Sequence, residues 1–123
     1  MDIKRSSQEK IKRLRPSPRW SDATVFKGIA HFVEVAADTE QNISSQIAQI
    51  LAQADATLTA IGSDKSRLLS ATIYLTRTED LTILNSLWEA WLPSGCAPSR
   101  ACVKVELLNP RMLIEIAFVA ATH

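Results

Sequence analysis

Two short stretches decide the fold predicted for this chain: residues 97–105, with the sequence APSRACVKV, and residues 113–116, with the sequence LIEI. Polar and apolar residues alternate in the first stretch, and a period of two predicts a strand with one buried face. The apolar row expected on the buried face consists of Ala101, Val103, Val105 and Leu107. Arg100 and Cys102 are then expected together on the opposite face.

A turn at residues 108–111, Leu-Asn-Pro-Arg, is predicted to join the two stretches, because proline suits an early turn position. The chain would return as an antiparallel hairpin that brings Glu115 close to Arg100 and Cys102. A guanidinium beside a carboxylate can hold a small acid next to a water molecule. The alternative is a structural ion pair across the hairpin, between Lys104 and Glu115.

Length and composition predict one soluble globular domain. The chain has 123 residues, of which 46% are hydrophobic and 22% are charged. A net charge of +1 makes nucleic acid an improbable partner, and no apolar run is long enough for a membrane span or a secretory signal, so a cytoplasmic location is expected. The two cysteines, Cys96 and Cys102, do not make a disulfide framework and are expected as reduced thiols.

The N-terminal part of the chain is strongly basic. Residues 1–19 hold seven lysines and arginines against two acidic residues. Such an arm could contact nucleic acid or an acidic partner. A solvated extension at residues 1–10, followed by an edge strand, is favoured because no aromatic residue precedes Trp20.

Residue periodicity predicts the element order β-β-β-α-β-α-β-β. The first helix is expected to begin with Thr39 as its cap and to stop at Gly62, and the second to run over residues 79–92 with Trp88 and Trp91 in the core. The first four strands are expected at residues 11–15, 23–27, 29–35 and 69–75. This order gives an α+β fold in which two helices pack on one face of a sheet. The other face would be a large apolar patch unless something covers it.

Several separated segments carry a family resemblance. Residues 98–103, PSRACV, with residues 114–116, IEI, resemble the C-terminal signature of the Rid (YjgF/YER057c/UK114) family, most closely its YoaB-type branch. The likeness covers residues 11–123 and includes RWSD at 19–22, LAQAD at 51–55, GSDKS at 62–66, ATIYL at 71–75, LWEAW at 87–91 and VAA at 119–121. It implies the chorismate-mutase-like (YjgF/Rid-like) fold, assembled as a homotrimer with ligand sites in the clefts between subunits.

The resemblance also implies an activity and the residues that carry it. The implied activity is that of a 2-iminobutanoate/2-iminopropanoate deaminase, an enzyme that hydrolyses reactive imine or enamine intermediates to keto acids and ammonia. Arg100 would bind the substrate carboxylate and Glu115 would handle water and protons, so both are the predicted catalytic residues. Cys102 would form part of the pocket wall without acting as a nucleophile. Trp20 would close the pocket where many relatives carry a tyrosine. No cofactor is implied.

Glu34 departs from the family pattern. It stands where relatives usually carry a glycine whose backbone N–H approaches the substrate carboxylate. A glutamate side chain that turns inward could pair with Arg100 and compete with an acidic ligand, whereas one that points to solvent would not affect the site. Glu34 is therefore a predicted substrate-binding position. It also supports an alternative function, a non-catalytic trimer that binds a small carboxylate metabolite or a protein partner in the intersubunit cleft. No metal site is expected, because the two histidines lack ligands at metal-binding spacing.

Overall fold

The computed structural model describes residues 10–123, so the predicted basic extension lies, apart from Lys10, outside the described residues. The described part has the predicted element order. Its strands are β1 (Lys12–Leu14), β2 (Ala23–Phe26), β3 (Ile29–Val35), β4 (Leu68–Leu75), β5 (Ser99–Lys104) and β6 (Ile114–Ala121). Its α-helices are α1 (Ile43–Ala60) and α2 (Leu81–Trp91), and short 3₁₀ turns at Lys65–Arg67 and Thr78–Asp80 precede β4 and α2.

The six strands form one mixed sheet in the order β1-β2-β3-β6-β4-β5. Neighbouring strands are antiparallel except β4 and β5, which run parallel. Parallel neighbours need a long crossover connection, and α2 lies in the connection between them. Both helices pack on the same face of the sheet, so the predicted α+β layering is confirmed.

The β2–β3 hairpin ends its pairing early. Lys27 and Gly28 form its two-residue turn with φ angles of 51° and 78°, the left-handed geometry that matches the twist of paired strands. From this turn, pairing runs only as far as Ala23 opposite Phe32. The last three residues of β3, 33–35, therefore bond to β6 on one side and have no strand neighbour on the other.

Helix α1 starts three residues later than the predicted cap implies. Asn42 is the N-cap, and its Oδ1 accepts a hydrogen bond from Ser45 N at 2.9 Å. The prediction of Thr39 as the cap was wrong because Asn42, nearer to the apolar stripe, supplies the side-chain oxygen that satisfies a free N–H of the first turn. At the other end, Gly62 follows the helix with a φ of 74°, as predicted for a glycine stop.

The core lies between the helices and the helix-facing side of the sheet. Phe118 on β6 is almost fully buried, and its ring stacks on Phe32 at 4.9 Å and on Trp88 of α2 at 6.2 Å, measured between ring centroids. Trp91 packs against the same cluster, so the predicted core role of both α2 tryptophans is confirmed. Both cysteines are free thiols, as predicted.

Strands β5 and β6 do not form the predicted hairpin. The expected turn is present, with Met112 N donating to Asn109 O at 3.0 Å, but β4 lies between the two strands. Glu115 pairs with Tyr74 of β4, and Arg100 pairs with Ala71 on the other side of β4. The buried strand β4 gains hydrogen bonds along both of its edges in this position, which a direct β5–β6 hairpin would not provide.

The face assignment of β5 is also opposite to the predicted one. Arg100 and Cys102 share a face, as expected, but it is the face that carries the helices, because their β4 partners Ala71 and Ile73 belong to the buried core. The apolar row of β5 lies on the open face, and Val103 is 43% exposed. Glu115 lies on that open face as well, away from the helices.

The alternative ion pair between Lys104 and Glu115 is absent from the ion pairs of residues 10–123. Lys104 pairs with Leu75 on the helix-facing side, whereas Glu115 lies on the open face. The same part of the chain contains no helix that is both long enough and apolar enough to cross a membrane.

One buried amide ties the β5–β6 loop to the start of α1. Gln46 is fully buried, and its Nε2 donates to Arg111 O at 3.0 Å and to Gln41 O at 3.1 Å. Its Oε1 accepts from Leu113 N at 3.0 Å. These bonds satisfy backbone groups of the loop that leads into β6, and so fix where β6, and with it Glu115, begins.

We expect Gln46→Leu to lower the free energy of unfolding by about 2 kcal/mol or more, because it leaves buried backbone groups without partners. Urea denaturation of the native protein and the variant measures the difference. The matched control is Gln41→Leu at an exposed position, which should stay within about 0.5 kcal/mol. Equal stability of the two variants would contradict this role of Gln46.

Candidate functional site

A cavity of about 910 Å³ lies beside the unpaired end of β3. The loop between β1 and β2 forms one wall, α1 contributes another, and the open-face residues of β6 complete it. Its lining includes three of the predicted site residues, Trp20, Glu34 and Glu115. The early end of the β2–β3 pairing leaves the space that these elements surround.

Trp20 lies on the loop wall of this cavity. Ser17 holds the loop in shape, since its backbone N and its Oγ both donate to Trp20 O, at 2.7 and 2.9 Å. At the base of the loop, Arg15 Nε donates to Asp22 Oδ2 at 2.6 Å. Trp20 is 65% exposed and lines the cavity, so much of its surface is accessible to a ligand there.

Glu34 points toward α1 and does not reach Arg100. Its Oε2 accepts a hydrogen bond from Thr57 Oγ1 at 2.8 Å, and its Oε1 accepts one from Gln53 Nε2 at 3.3 Å. Gln53 is held in place by two further bonds, from its Nε2 to Val35 O at 2.7 Å and from Ala37 N to its Oε1 at 3.1 Å. The inward Glu34–Arg100 pair considered from the sequence is thus not formed within the chain.

Burial raises the pKa of the Glu34 carboxyl above its ordinary value of 4.5. The hydrogen bonds from Thr57 and Gln53 favour the ionised form and oppose this rise without cancelling it. The nearby charges act in opposite directions, since Asp22 raises the pKa and Arg15 lowers it. The half-buried carboxylate is therefore poorly solvated, and no basic side chain of residues 10–123 forms a salt bridge with it.

Glu115 occupies the middle of the open face, between Val35 of β3 and Tyr74 of β4. It borders the large cavity and also a second cavity of about 500 Å³, which Tyr74 and the loop after β5 line. Its carboxylate accepts no hydrogen bond from the side chains or backbone of residues 10–123. A half-buried carboxylate next to two cavities is available to a ligand or a water molecule.

Arg100 lies on the edge strand β5, outside both cavities. Its Nη2 donates to Asn85 Oδ1 on α2 at 2.8 Å, and its guanidinium carbon lies 5.9 Å from the centre of the Trp88 ring. None of the carboxylates in residues 10–123 forms a salt bridge with it. One amide and one aromatic face orient the guanidinium, and its charge is left uncompensated.

Cys102 follows Arg100 on the same face and packs against the core beneath it. The predicted site residues thus fall into two groups within one chain. Trp20, Glu34 and Glu115 line the large cavity, with Glu34 on its helix side and Glu115 on its open-face side, whereas Arg100 and Cys102 lie two strands away from Glu115's strand, across β4. A single copy of the chain does not bring the predicted arginine and the predicted acid together.

The sequence analysis missed the residues that hold Glu34 and Arg100. Gln53 and Thr57 are four residues apart on α1, a spacing that places both on one helix face, and this polar pair beside the apolar stripe was the available signal. Asn85 and Trp88 are likewise three residues apart on α2. Metal-binding groups of three or more His, Cys, Asp or Glu residues are absent from residues 10–123.

Comparison with known proteins places this fold in a defined class. A solved structure of an uncharacterized protein from Pseudomonas aeruginosa superposes with a TM-score of 0.90 at 36% identity, covering 93% of this chain and 100% of the other. A member of the YjgF protein family from Neisseria meningitidis superposes with a TM-score of 0.89 at 34% identity, covering 94% of this chain and 97% of the other. The chain therefore has the YjgF-like fold.

Sequence comparison agrees with the structural one. The family model described as Endoribonuclease L-PSP matches residues 11–122. The RutC family protein YoaB of Escherichia coli is 38% identical over 111 residues, which are 90% of this chain and 97% of the relative. A RutC family protein of Haemophilus ducreyi is 36% identical over 92% of this chain and 97% of its own length. The chain belongs to the Rid/YjgF (L-PSP) family.

The raised pKa of Glu34 predicts a pH-dependent stability difference. The unfolded chain ionises Glu34 near 4.5 and the folded chain at a higher pH, so the folded state holds the proton more tightly. The free energy of unfolding therefore falls as the pH rises above the unfolded pKa of Glu34 and through its folded pKa, because the folded state must then hold the ionised carboxylate. Relative to Glu34→Gln, the native protein should lose stability as the pH rises from the ordinary pKa of 4.5 through the higher folded pKa of Glu34.

Denaturant unfolding of both proteins across this range measures the difference. Glu89→Gln, an exposed change on α2, removes the same charge away from the cavity and should show no such trend. A stability gap that stays constant with pH, or that favours the native protein at high pH, would contradict the burial of the Glu34 charge.

Proposed function

We propose that this protein hydrolyses small 2-imino or enamine acids to keto acids and ammonia, a 2-iminobutanoate/2-iminopropanoate deaminase-like reaction. The observation that carries the proposal is the guanidinium of Arg100, which α2 orients and which no carboxylate of residues 10–123 neutralises. Arginine's planar fork can donate two parallel hydrogen bonds to a substrate carboxylate. Asn85 occupies Nη2, and the exposed position of Arg100 leaves the other donors accessible.

In this proposal Glu115 manages the protons of the hydrolysis. It takes a proton from water as the oxygen bonds to the imine carbon, and the C=N double bond becomes a single bond whose nitrogen gains that proton. Glu115 then passes the hydroxyl proton of the resulting carbinolamine to its nitrogen, the C–N bond breaks, and ammonia leaves as the C=O bond of the keto acid forms. Holding the substrate and one acid–base group in position is enough for this reaction, because no redox step or cofactor enters it.

The two groups of site residues would meet between subunits. Arg100 lies on edge strand β5, whereas Trp20, Glu34 and Glu115 line a cavity beside β3, which β6 and β4 separate from β5. A neighbouring copy that packs on the open face would bring its Arg100 to this cavity. The open face suits such contact, because Val33 and Val103 are 54% and 43% exposed. The homotrimer that the family resemblance implies would provide this arrangement, with Trp20 covering the cleft and Cys102 supporting Arg100 from below.

The second candidate is a non-catalytic trimer that binds a small carboxylate metabolite or a protein partner in the same cleft. Glu34 is the observation that favours it. Its side chain occupies the cavity wall next to the unpaired end of β3, where the family glycine would expose backbone N–H to a carboxylate. Both candidates use Arg100, but only the first requires turnover.

Removing the guanidinium should abolish most of the proposed activity. We expect Arg100→Ala to lower kcat/KM for 2-iminopropanoate, generated in situ, by roughly ten- to a hundredfold, because a charge-assisted bond to the substrate carboxylate is lost. Ammonia or keto-acid release measures the rate. In the same assay Glu115→Gln should lower mainly kcat, since it removes the proton acceptor and retains the shape of the side chain.

The matched control is Lys104→Ala, which removes a cation from the same face of β5 and should keep the native rate. A native protein that does not accelerate hydrolysis, but gains activity on Glu34→Gly, would support the non-catalytic alternative. A native rate in Arg100→Ala would exclude the proposed role of this guanidinium.

The proposed assembly predicts the mass in solution. Three copies of the 13.6 kDa chain should elute together in light scattering coupled to size-exclusion chromatography. Val103→Glu places a charge on the open face and should shift the protein toward the monomer, because an unpaired charge is costly to bury in an interface. Thr82→Glu, on the exposed side of α2, is the control and should keep the native mass. A native protein that elutes as a monomer would overturn the intersubunit cleft.

A further inference from the structure

The large cavity carries more carboxylates than its basic groups can neutralise. Three carboxylates, those of Asp22, Glu34 and Glu115, line it together with two basic groups, the guanidinium of Arg15 and the imidazole of His31. Arg15 is already bonded to Asp22 at 2.6 Å, so this pair is satisfied within itself. Within residues 10–123, neither Glu34 nor Glu115 forms a salt bridge with a basic side chain, and His31 is not bonded to either of them.

The surroundings of Glu34 orient its charge and do not neutralise it. Its two oxygens accept hydrogen bonds from the hydroxyl of Thr57 and the side-chain amide of Gln53, which are both neutral. Burial fixes Thr57 in this position, and a second hydrogen bond, to Val35 O, fixes Gln53. A partly buried carboxylate in such a site is stabilised by a cation that reaches it from the cavity. The direction of its pKa shift is consistent with this missing partner.

Trp20 adds a second feature that favours a cation. The residue is 65% exposed and lines the same cavity as Glu34. The face of an indole attracts ammonium and guanidinium groups, most strongly among the aromatic side chains. An oriented carboxylate and an exposed indole in one cavity together form a surface that recognises a positively charged organic nitrogen.

The excess of negative charge in the cavity remains when the proposed substrate is bound. Arg100 of a neighbouring copy and the substrate carboxylate would neutralise each other, which leaves Glu34 and Glu115 uncompensated. We propose that Glu34 and Trp20 form a cation subsite, so that this protein prefers imino acids whose side chain carries a second, protonated nitrogen. This inference rests on the proposed function and assigns its substrate class. A cavity of about 910 Å³ is large enough for such an elongated side chain.

The test compares two imines that differ in charge and closely match in shape. They are formed in situ by oxidising arginine and citrulline, whose side chains end in a guanidinium and in a neutral ureido group. We expect kcat/KM to favour the arginine-derived imine by about tenfold in the native protein, the effect of one partly buried ion pair. In Glu34→Gln this ratio should fall to about one, whereas the exposed Glu89→Gln control should keep the native ratio.

Two further measurements separate the subsite from the activity. Glu34→Gly repeats the test with no side chain at this position, and thermal unfolding verifies that each variant folds. Free arginine and citrulline, titrated against the native protein, report binding through the Trp20 indole N–H resonance. We expect arginine to bind about tenfold more tightly than citrulline, and this preference should disappear without Glu34.

The outcomes distinguish the two proposals. Tighter binding of arginine that depends on Glu34, with neither imine accelerated, would support the subsite and overturn the deaminase function. Equal acceleration of both imines, unchanged in Glu34→Gln, would overturn the subsite and support the function.

Discussion

The position of β4 between β6 and β5 is the constraint on which the rest of the structure depends. Its helix-facing side chains are buried beneath α1 and α2, and its backbone is hydrogen-bonded on both edges. A strand in this position requires a crossover to its parallel neighbour, which α2 supplies, and it moves β5 to the sheet edge. The same pairing therefore gives Arg100 its edge position, its contacts with Asn85 and Trp88, and its separation from Glu115.

A second constraint, the short β2–β3 pairing, shapes the candidate site. Because β2 begins only at Ala23, the last residues of β3 border a cavity and not another strand. Glu34 lies in this unpaired stretch, and α1 supplies the neutral donors that hold it. Where the family resemblance implies a glycine, this chain has an oriented, half-buried carboxylate. In the proposed cation subsite, this charge is the feature that would select the ligand.

Local patterns in the sequence predicted the elements well. Within residues 10–123, the alternation of polar and apolar residues identified the strands, and apolar stripes of helical period identified both α-helices. Gly28 and Gly62 marked a hairpin turn and a helix stop. The Rid resemblance led to the correct family. The errors concern partners. The cap of α1 was placed at Thr39 because two good capping residues, Thr39 and Asn42, lie within one turn of each other. The β5–β6 hairpin was predicted because strands adjacent in sequence usually pair. No local pattern in β5 indicates that β4 lies between β5 and β6.

The amino-acid sequence by itself determined the elements, their order and the chemistry of the site residues, because periodicity, turn residues and side-chain type act over a few positions. The tertiary structure decided which strands meet, which face each residue occupies and which charges have partners. Those properties depend on contacts between distant segments, as between Glu34 and Thr57 or between Arg100 and Asn85. Side-chain alternation predicted that Arg100 and Cys102 share a face, but only packing against the helices decided that Glu115 lies on the other one.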